Sequence, residues 1–155
     1  MSIVTLGPAG TYSHRAARAV NEDVVFRESV SAIISVVGDN QYQRGVVPIE
    51  NSIEGSVTET LDAIAEAEIA VTNEIITPIR HALLAQSPEF KRIASHSQAL
   101  AQCRSYLERE YPDTGLEAVA STARGVEQAR ADGSVAGIGH PDNAGEILSV
   151  IAEDI

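Results

Sequence analysis

Several things are scarce in this sequence, and each scarcity excludes something. Of its 155 residues one is cysteine, Cys103, so no internal disulfide can form and a reducing compartment is expected. No run is long and apolar enough to span a bilayer. The first residues, Met1 to Leu6, carry no basic region ahead of their apolar side chains, so they do not read as a signal peptide and a cytoplasmic location is expected. There is no tryptophan, and only four tyrosines and two phenylalanines. Positive charge is short as well: 22 acidic residues face 11 basic ones, for a net charge of -11, and Lys91 is the only lysine. Such a surface repels nucleic acid and anionic membrane, so neither is expected as a partner. Acid excess with almost no lysine is the pattern expected of a protein from a salt-rich cytoplasm, where salt screens the self-repulsion. His14, His81, His96 and His140 show no metal-ligand spacing, so no metal is expected.

What is present alternates. The spacing predicts a strand over 3–6, a helix from Thr11 to about Val20 with Ala16, Ala17 and Val20 inward, and a strand over 24–26. Ser31 is placed to cap a helix carrying Ile33, Ile34, Val36 and Val37. A buried parallel strand over 46–49 and a helix over 58–67, with Leu61, Ile64 and Ala65 on one face, follow. The segment 69–79 is β-rich and reads as a crossing between two lobes, continuing extended through His81 to Ala85. Beyond it come a strand over 92–94, a helix over 95–110 with Ala99, Cys103 and Leu107 inward, and a strand over 116–120. A helix over 122–131, a strand over 135–138, a helix over 142–148 and a strand over 150–152 complete the chain. Strands alternating with helices argue α/β architecture with parallel sheets. The expectation is two α/β lobes, 1–78 and 79–155, with a cleft between them.

Polar residues cluster where strands give way to helices. The central stretch is Gly45 to Val57, in which an apolar run breaks at once into Glu50, Asn51 and Ser52. In open α/β sheets ligands bind at the carboxyl ends of strands, so this cluster is a site candidate; capping of the next helix is the alternative. Gly7-Pro8-Ala9-Gly10-Thr11-Tyr12-Ser13 is a glycine-containing loop leading into a helix, apt for a carboxylate or phosphate, yet with neither dinucleotide nor P-loop spacing; a plain turn with Thr11 or Ser13 capping the helix is the alternative. Ser95, with Gln98 three residues on, fits a capping box, and Gln98 and Gln102 share a helix face that is either a ligand face or a solvated one. Ser121-Thr122 repeats the strand-to-helix pattern; alone it reads as a helix cap, and the recurrence of the pattern makes it a site candidate. Cys103, on an apolar face, reads as core rather than nucleophile.

Together these stretches resemble the prephenate dehydratase family. The matching segments are Gly7 to His14, Val47 to Ser52 with Gly55-Ser56-Val57, Ile79 to Leu84, Ser95 to Cys103, Ser121 to Ala123 and Ile151 to Ile155, covering the whole chain. The resemblance implies a fold similar to type II periplasmic binding proteins. It implies conversion of prephenate to phenylpyruvate in phenylalanine biosynthesis, without cofactor or metal, and a homo-oligomer is expected. By carry-over, Glu50, Asn51, Ser95 and Gln102 are catalytic, while Thr11, Ser13, Ser52, Ser121 and Thr122 bind substrate. Family members continue past the Glu-Asp-Ile segment to a Thr-Arg-Phe motif whose threonine serves as hydroxyl donor, and many carry an ACT-type regulatory domain. This sequence ends at Ile155, so a truncated catalytic domain is the expectation. The alternative is a catalytically incomplete domain that binds prephenate or a related aromatic carboxylate. A transport-type receptor of similar fold is disfavoured, because no export signal is visible.

Overall fold

The computed structural model describes residues 1–52 and 55–155. Within the central stretch, Ile53 and Glu54 thus lie outside the described residues. The chain divides into two compact units, Met1–Thr77 and Pro78–Ile155.

In the first unit a strand β1, Ile3–Leu6, lies between two parallel neighbours, β2, Val24–Arg27, and β3, Gly45–Val46. Two helices follow the first two strands: α1, Tyr12–Val20, and α2, Val30–Gly38. Ile3 and Val4 of β1 and Ala17, Val30, Ile33 and Ile34 of the helices are the buried apolar side chains among the described residues of this unit. Val20, the last residue of α1, is exposed rather than inward. The cap of α2 is Ser29, whose hydroxyl accepts from the Ala32 N–H at 3.1 Å. Ser31 falls inside the first turn, because Val30 is drawn into the core and starts the helix earlier.

The apolar run 46–49 does not form the buried strand expected. Only Gly45–Val46 pairs with β1. Pro48 has no N–H to donate to a ladder, and Ile49 is exposed. Two buried threonine hydroxyls take over the carbonyls: Thr5 Oγ1 donates to Val46 O at 2.8 Å and Thr60 Oγ1 to Pro48 O at 2.6 Å. Glu50–Asn51 (β4) then pairs antiparallel with Gly55–Ser56 (β5). Drawing Thr60 inward rotates α3, Thr58–Glu66, so that Leu61 and Ala65 face solvent and Ile64 is half-buried. The segment 69–79 forms no strand, and Val71 and Ile76 are exposed.

The second unit holds a five-stranded mixed sheet. Its strands are β6, Ala82–Ala85; β7, Arg92–His96; β8, Gly115–Val119; β9, Val135–Gly139; and β10, Ser149–Glu153, in the order β10-β6-β9-β7-β8. β7 runs parallel to β8 and β9, whereas β6 is antiparallel to β9 and β10. Within this sheet the wholly parallel arrangement expected is therefore confined to three strands. Side chains of β6 alternate between two cores, as strand geometry requires. Leu83 and Ala85 pack with Ile93, Cys103, Leu107 and Ile138. Ala82 and Leu84 pack with Val126, Ala129 and Leu148.

Helix α6, Thr122–Ala131, lies hard against this sheet because glycine meets glycine. A Cβ on Gly125 would stand 2.3 Å from Ala94 O, and one on Gly137 would stand 2.9 Å from Gly125 O. The single helix expected over 95–110 is instead two, α4, Ser97–Gln102, and α5, Arg104–Glu110, with Cys103 between them. Over 142–148 only a short 3-10 helix forms, Pro141–Ala144, ended by Gly145 at φ 61°.

Candidate functional site

The first unit brings Thr11 and Ser13 to the carboxyl end of β1, and Glu50 and Asn51 follow β3 past the same end. Thr11 caps α1: its Oγ1 accepts from the His14 N–H at 3.2 Å. The loop ahead of it closes on His14, whose Nδ1 accepts from the Gly10 N–H at 2.9 Å while Gly10 adopts φ 86°. His14 also stands edge-on to Phe26. Its pKa is lowered by burial first and by Arg18 second, which suits a ring that must keep a lone pair on Nδ1. Thr5 Oγ1 lies 3.4 Å from Ser13 O as well as bonding Val46 O, so one buried hydroxyl ties the two segments together. Asn51 is half-buried; Glu50 and Ser52 are exposed.

In the second unit Ser95 lies near the end of β7 and Ser121 and Thr122 follow β8, its paired neighbour, while Gln102 closes the helix α4 that follows β7. Ser95 corrects an expectation. It is not a helix cap but lies within β7, fully buried, because β7 pairs on through Ser95↔Ala118 and His96↔Val119. Its hydroxyl donates to Ile138 O at 2.8 Å. Ser95 can donate to a ligand only by giving up that bond, though its lone pairs can accept. The capping role falls to His96, whose Nδ1 accepts from the Gln98 N–H at 3.3 Å. Gln98 Nε2 is buried with no protein partner.

Gln102 Oε1 sits 2.5 Å from Nε2 of the buried His81. Ser121 caps α6, its Oγ accepting from the Arg124 N–H at 3.0 Å. A hydroxyl that accepts through a lone pair still has its own O–H to give, so Thr11 and Ser121 each keep a donor proton as well as capping. His140 repeats the histidine cap after β9, its Nδ1 accepting from the Asp142 N–H at 3.1 Å.

Other groups fall away from this chemistry. The Cys103 thiol is buried and its pKa is pushed up to about 11, so it is core and not a nucleophile. A cavity of about 260 Å³ lies beside Leu100, Arg104, Tyr111 and Leu116, and none of the expected site residues lines it. Among the described residues no group of three metal-ligating side chains comes together, and no helix is long and apolar enough to cross a membrane. His81, His96, Thr5 and Thr60 were not among the site residues expected from the sequence. The signal available for the first two was their place within the motif segments 79–84 and 95–103.

Fold and polar groups together define an α/β protein in which each unit carries hydroxyl or amide side chains in the segments that follow its parallel strands. The family model described as prephenate dehydratase matches residues 3–155, and the chain belongs to that family. It is 35% identical over 174 residues to a bifunctional chorismate mutase/prephenate dehydratase of Stutzerimonas stutzeri, covering 100% of this chain and 45% of that protein. A prephenate dehydratase of Lactococcus lactis subsp. lactis is 37% identical over 132 residues, covering 82% of this chain and 47% of the relative. The chain therefore spans less than half the length of these curated relatives. The crystal structure of a prephenate dehydratase from Arthrobacter aurescens in complex with L-Phe superposes with TM-score 0.87 at 32% identity, over 100% of this chain and 55% of that one.

Proposed function

We propose that this chain carries out, or forms a large part of the domain that carries out, the decarboxylating dehydration of prephenate to phenylpyruvate in L-phenylalanine biosynthesis. The observation that carries this reading is the family match across residues 3–155. The donor set fits the chemistry. Prephenate is a dicarboxylate with a ring hydroxyl. The bond to the ring carboxylate breaks and carbon dioxide leaves. The electron pair enters the ring, and the hydroxyl departs with a proton as water. A protein serving this reaction must hold two anionic groups and supply a hydrogen-bond donor to the leaving oxygen. Thr11 and Ser121 offer hydroxyls at helix N-termini, where the dipole favours negative charge. Gln102 offers a carboxamide, and Glu50 and Asn51 form the polar wall after β3.

The reading extends to setting. We place the protein in a salt-rich cytoplasm on the strength of its charge of -11 and single lysine; the homo-oligomer we propose rests on the family resemblance alone. The test of the reaction is phenylpyruvate absorbance in alkali after incubation with prephenate at high salt. Phenylpyruvate formed above the uncatalysed rate is the expected result. Prephenate binding without turnover would favour the incomplete binding domain, and neither binding nor turnover would overturn the proposal.

A further inference from the structure

The pair formed by His81 and Gln102 links residues 21 apart in sequence at 2.5 Å. His81 directly precedes β6 and is 9% exposed. Its backbone is held in place, with its carbonyl accepting from the Ile155 N–H at 3.2 Å and the next residue, Ala82, paired to Gly139 and Glu153. Gln102 closes α4, where the side chain has a choice. A carboxamide can turn either its oxygen or its NH2 toward a neighbour, and the two faces have opposite meanings for an anionic ligand. With Oε1 against an imidazole N–H the NH2 is left to donate elsewhere. With the amide reversed, an oxygen would face the ligand and repel it.

We infer that His81 is a positioning residue: its Nε2–H holds the oxygen of Gln102, so that the carboxamide presents its NH2 to a carboxylate of the ligand. The inference rests on the reading of Gln102 as a ligand-contacting residue, and it adds the group that sets the polarity of that residue. Both the neutral ring protonated on Nε2 and the imidazolium can serve, because each keeps a proton on Nε2. The tautomer protonated on Nδ1 alone cannot.

The test uses the 155-residue chain with phenylpyruvate as probe. Binding is read by calorimetry, and the imidazole of His81 by long-range 1H–15N spectra. The spectra are expected to show His81 protonated on Nε2. His81→Phe, which keeps a ring and removes the donor, is expected to weaken binding about tenfold, the scale of one hydrogen bond to a charged group. Gln102→Ala should cost about the same, and the double variant no more than either single one, because the two act as a unit. His81→Gln, which restores an N–H donor, should recover most of the loss.

Gln102→Glu covers the case in which His81→Phe does not fold. It can still accept from His81 and so keeps its melting temperature, yet it has no NH2 and should lose binding at least tenfold. Additive losses, unaltered binding in His81→Phe, unaltered binding in Gln102→Glu, or a His81 proton on Nδ1 alone would each overturn the inference. If the unaltered chain binds no phenylpyruvate, the proposed ligand class fails; the spectra then decide the His81–Gln102 pairing separately.

Discussion

Replacing Gly125 by alanine adds one methyl group at the tightest point of the second unit. The new Cβ would lie 2.3 Å from Ala94 O, 2.8 Å from Ala94 C and 3.0 Å from Ser95 Cα. All three are backbone atoms of β7, so no side chain can swing aside, and either α6 or the strand must move. Overpacking a well-filled core costs roughly 1–3 kcal/mol, and contact with rigid backbone puts this substitution at the upper end. Helix propensity returns up to about 1 kcal/mol, since alanine outranks glycine there. The net expectation is a loss of about 2 kcal/mol. At roughly 4 °C per kcal/mol for a chain of this size that is a fall in Tm of about 8 °C.

Gly115→Ala is the matched control. Its Cβ would meet nothing nearer than Arg92 Cβ and Lys91 O, both at 3.9 Å. Restricting the unfolded chain should then stabilise the protein by about 0.4–1 kcal/mol. Thermal melts and urea titrations of both variants, monitored by circular dichroism, give the comparison. Equal stabilities for Gly125→Ala and Gly115→Ala would refute the claim that the glycine contact sets the spacing between α6 and the sheet.

Three further outcomes are expected. His14 has a pKa lowered from its ordinary 6.5, so the unfolded chain binds more protons than the folded one just below that value. The stability His14 contributes is thus full above about pH 6.5 and is lost as pH falls through its folded pKa. In urea titrations His14→Gln should lose less stability than the parent on going from pH 7 to pH 5, and equal losses would contradict the closure of the Gly10 loop on His14. Asn51→Ala should weaken prephenate binding or slow turnover far more than it lowers Tm, measured by calorimetry and thermal melts; a loss confined to Tm would leave Asn51 as a structural residue of the β4–β5 pair. With a charge of -11, Tm should rise with KCl concentration, and a Tm that is flat or falling would count against adaptation to high salt.

What could be read from the sequence was whatever is local. β1, α1, β2 and α6 follow from apolar spacing and from cap residues such as Thr11 and Ser121, which act within four residues of themselves. What could not be read depends on partners distant in sequence. β7 runs on through Ser95 because β8 is there to pair with it, which turns an expected cap into a buried strand residue. The run 46–49 has the composition of a core strand, yet Pro48 and the hydroxyls of Thr5 and Thr60 settle it otherwise, and the same Thr60 bond turns Leu61 outward. Histidine is not an ordinary helix cap, so the roles of His96 and His140 left no mark in the pattern. Nothing in the sequence marks the break at Cys103, where neither proline nor glycine stands. Strand direction is equally silent, and the antiparallel placing of β6 and β10 emerges only from the ladder.

The central claim is that the polar groups at these strand ends receive prephenate. Its most direct test is a titration of the isotope-labelled chain with prephenate, followed by backbone and side-chain amide shifts. Saturable shifts at the proposed site residues of either unit, Thr11 and Asn51 in the first or Gln102 and Ser121 in the second, are the predicted result. Shifts confined to the cavity beside Leu100, Tyr111 and Leu116, or no shifts at all, would contradict it.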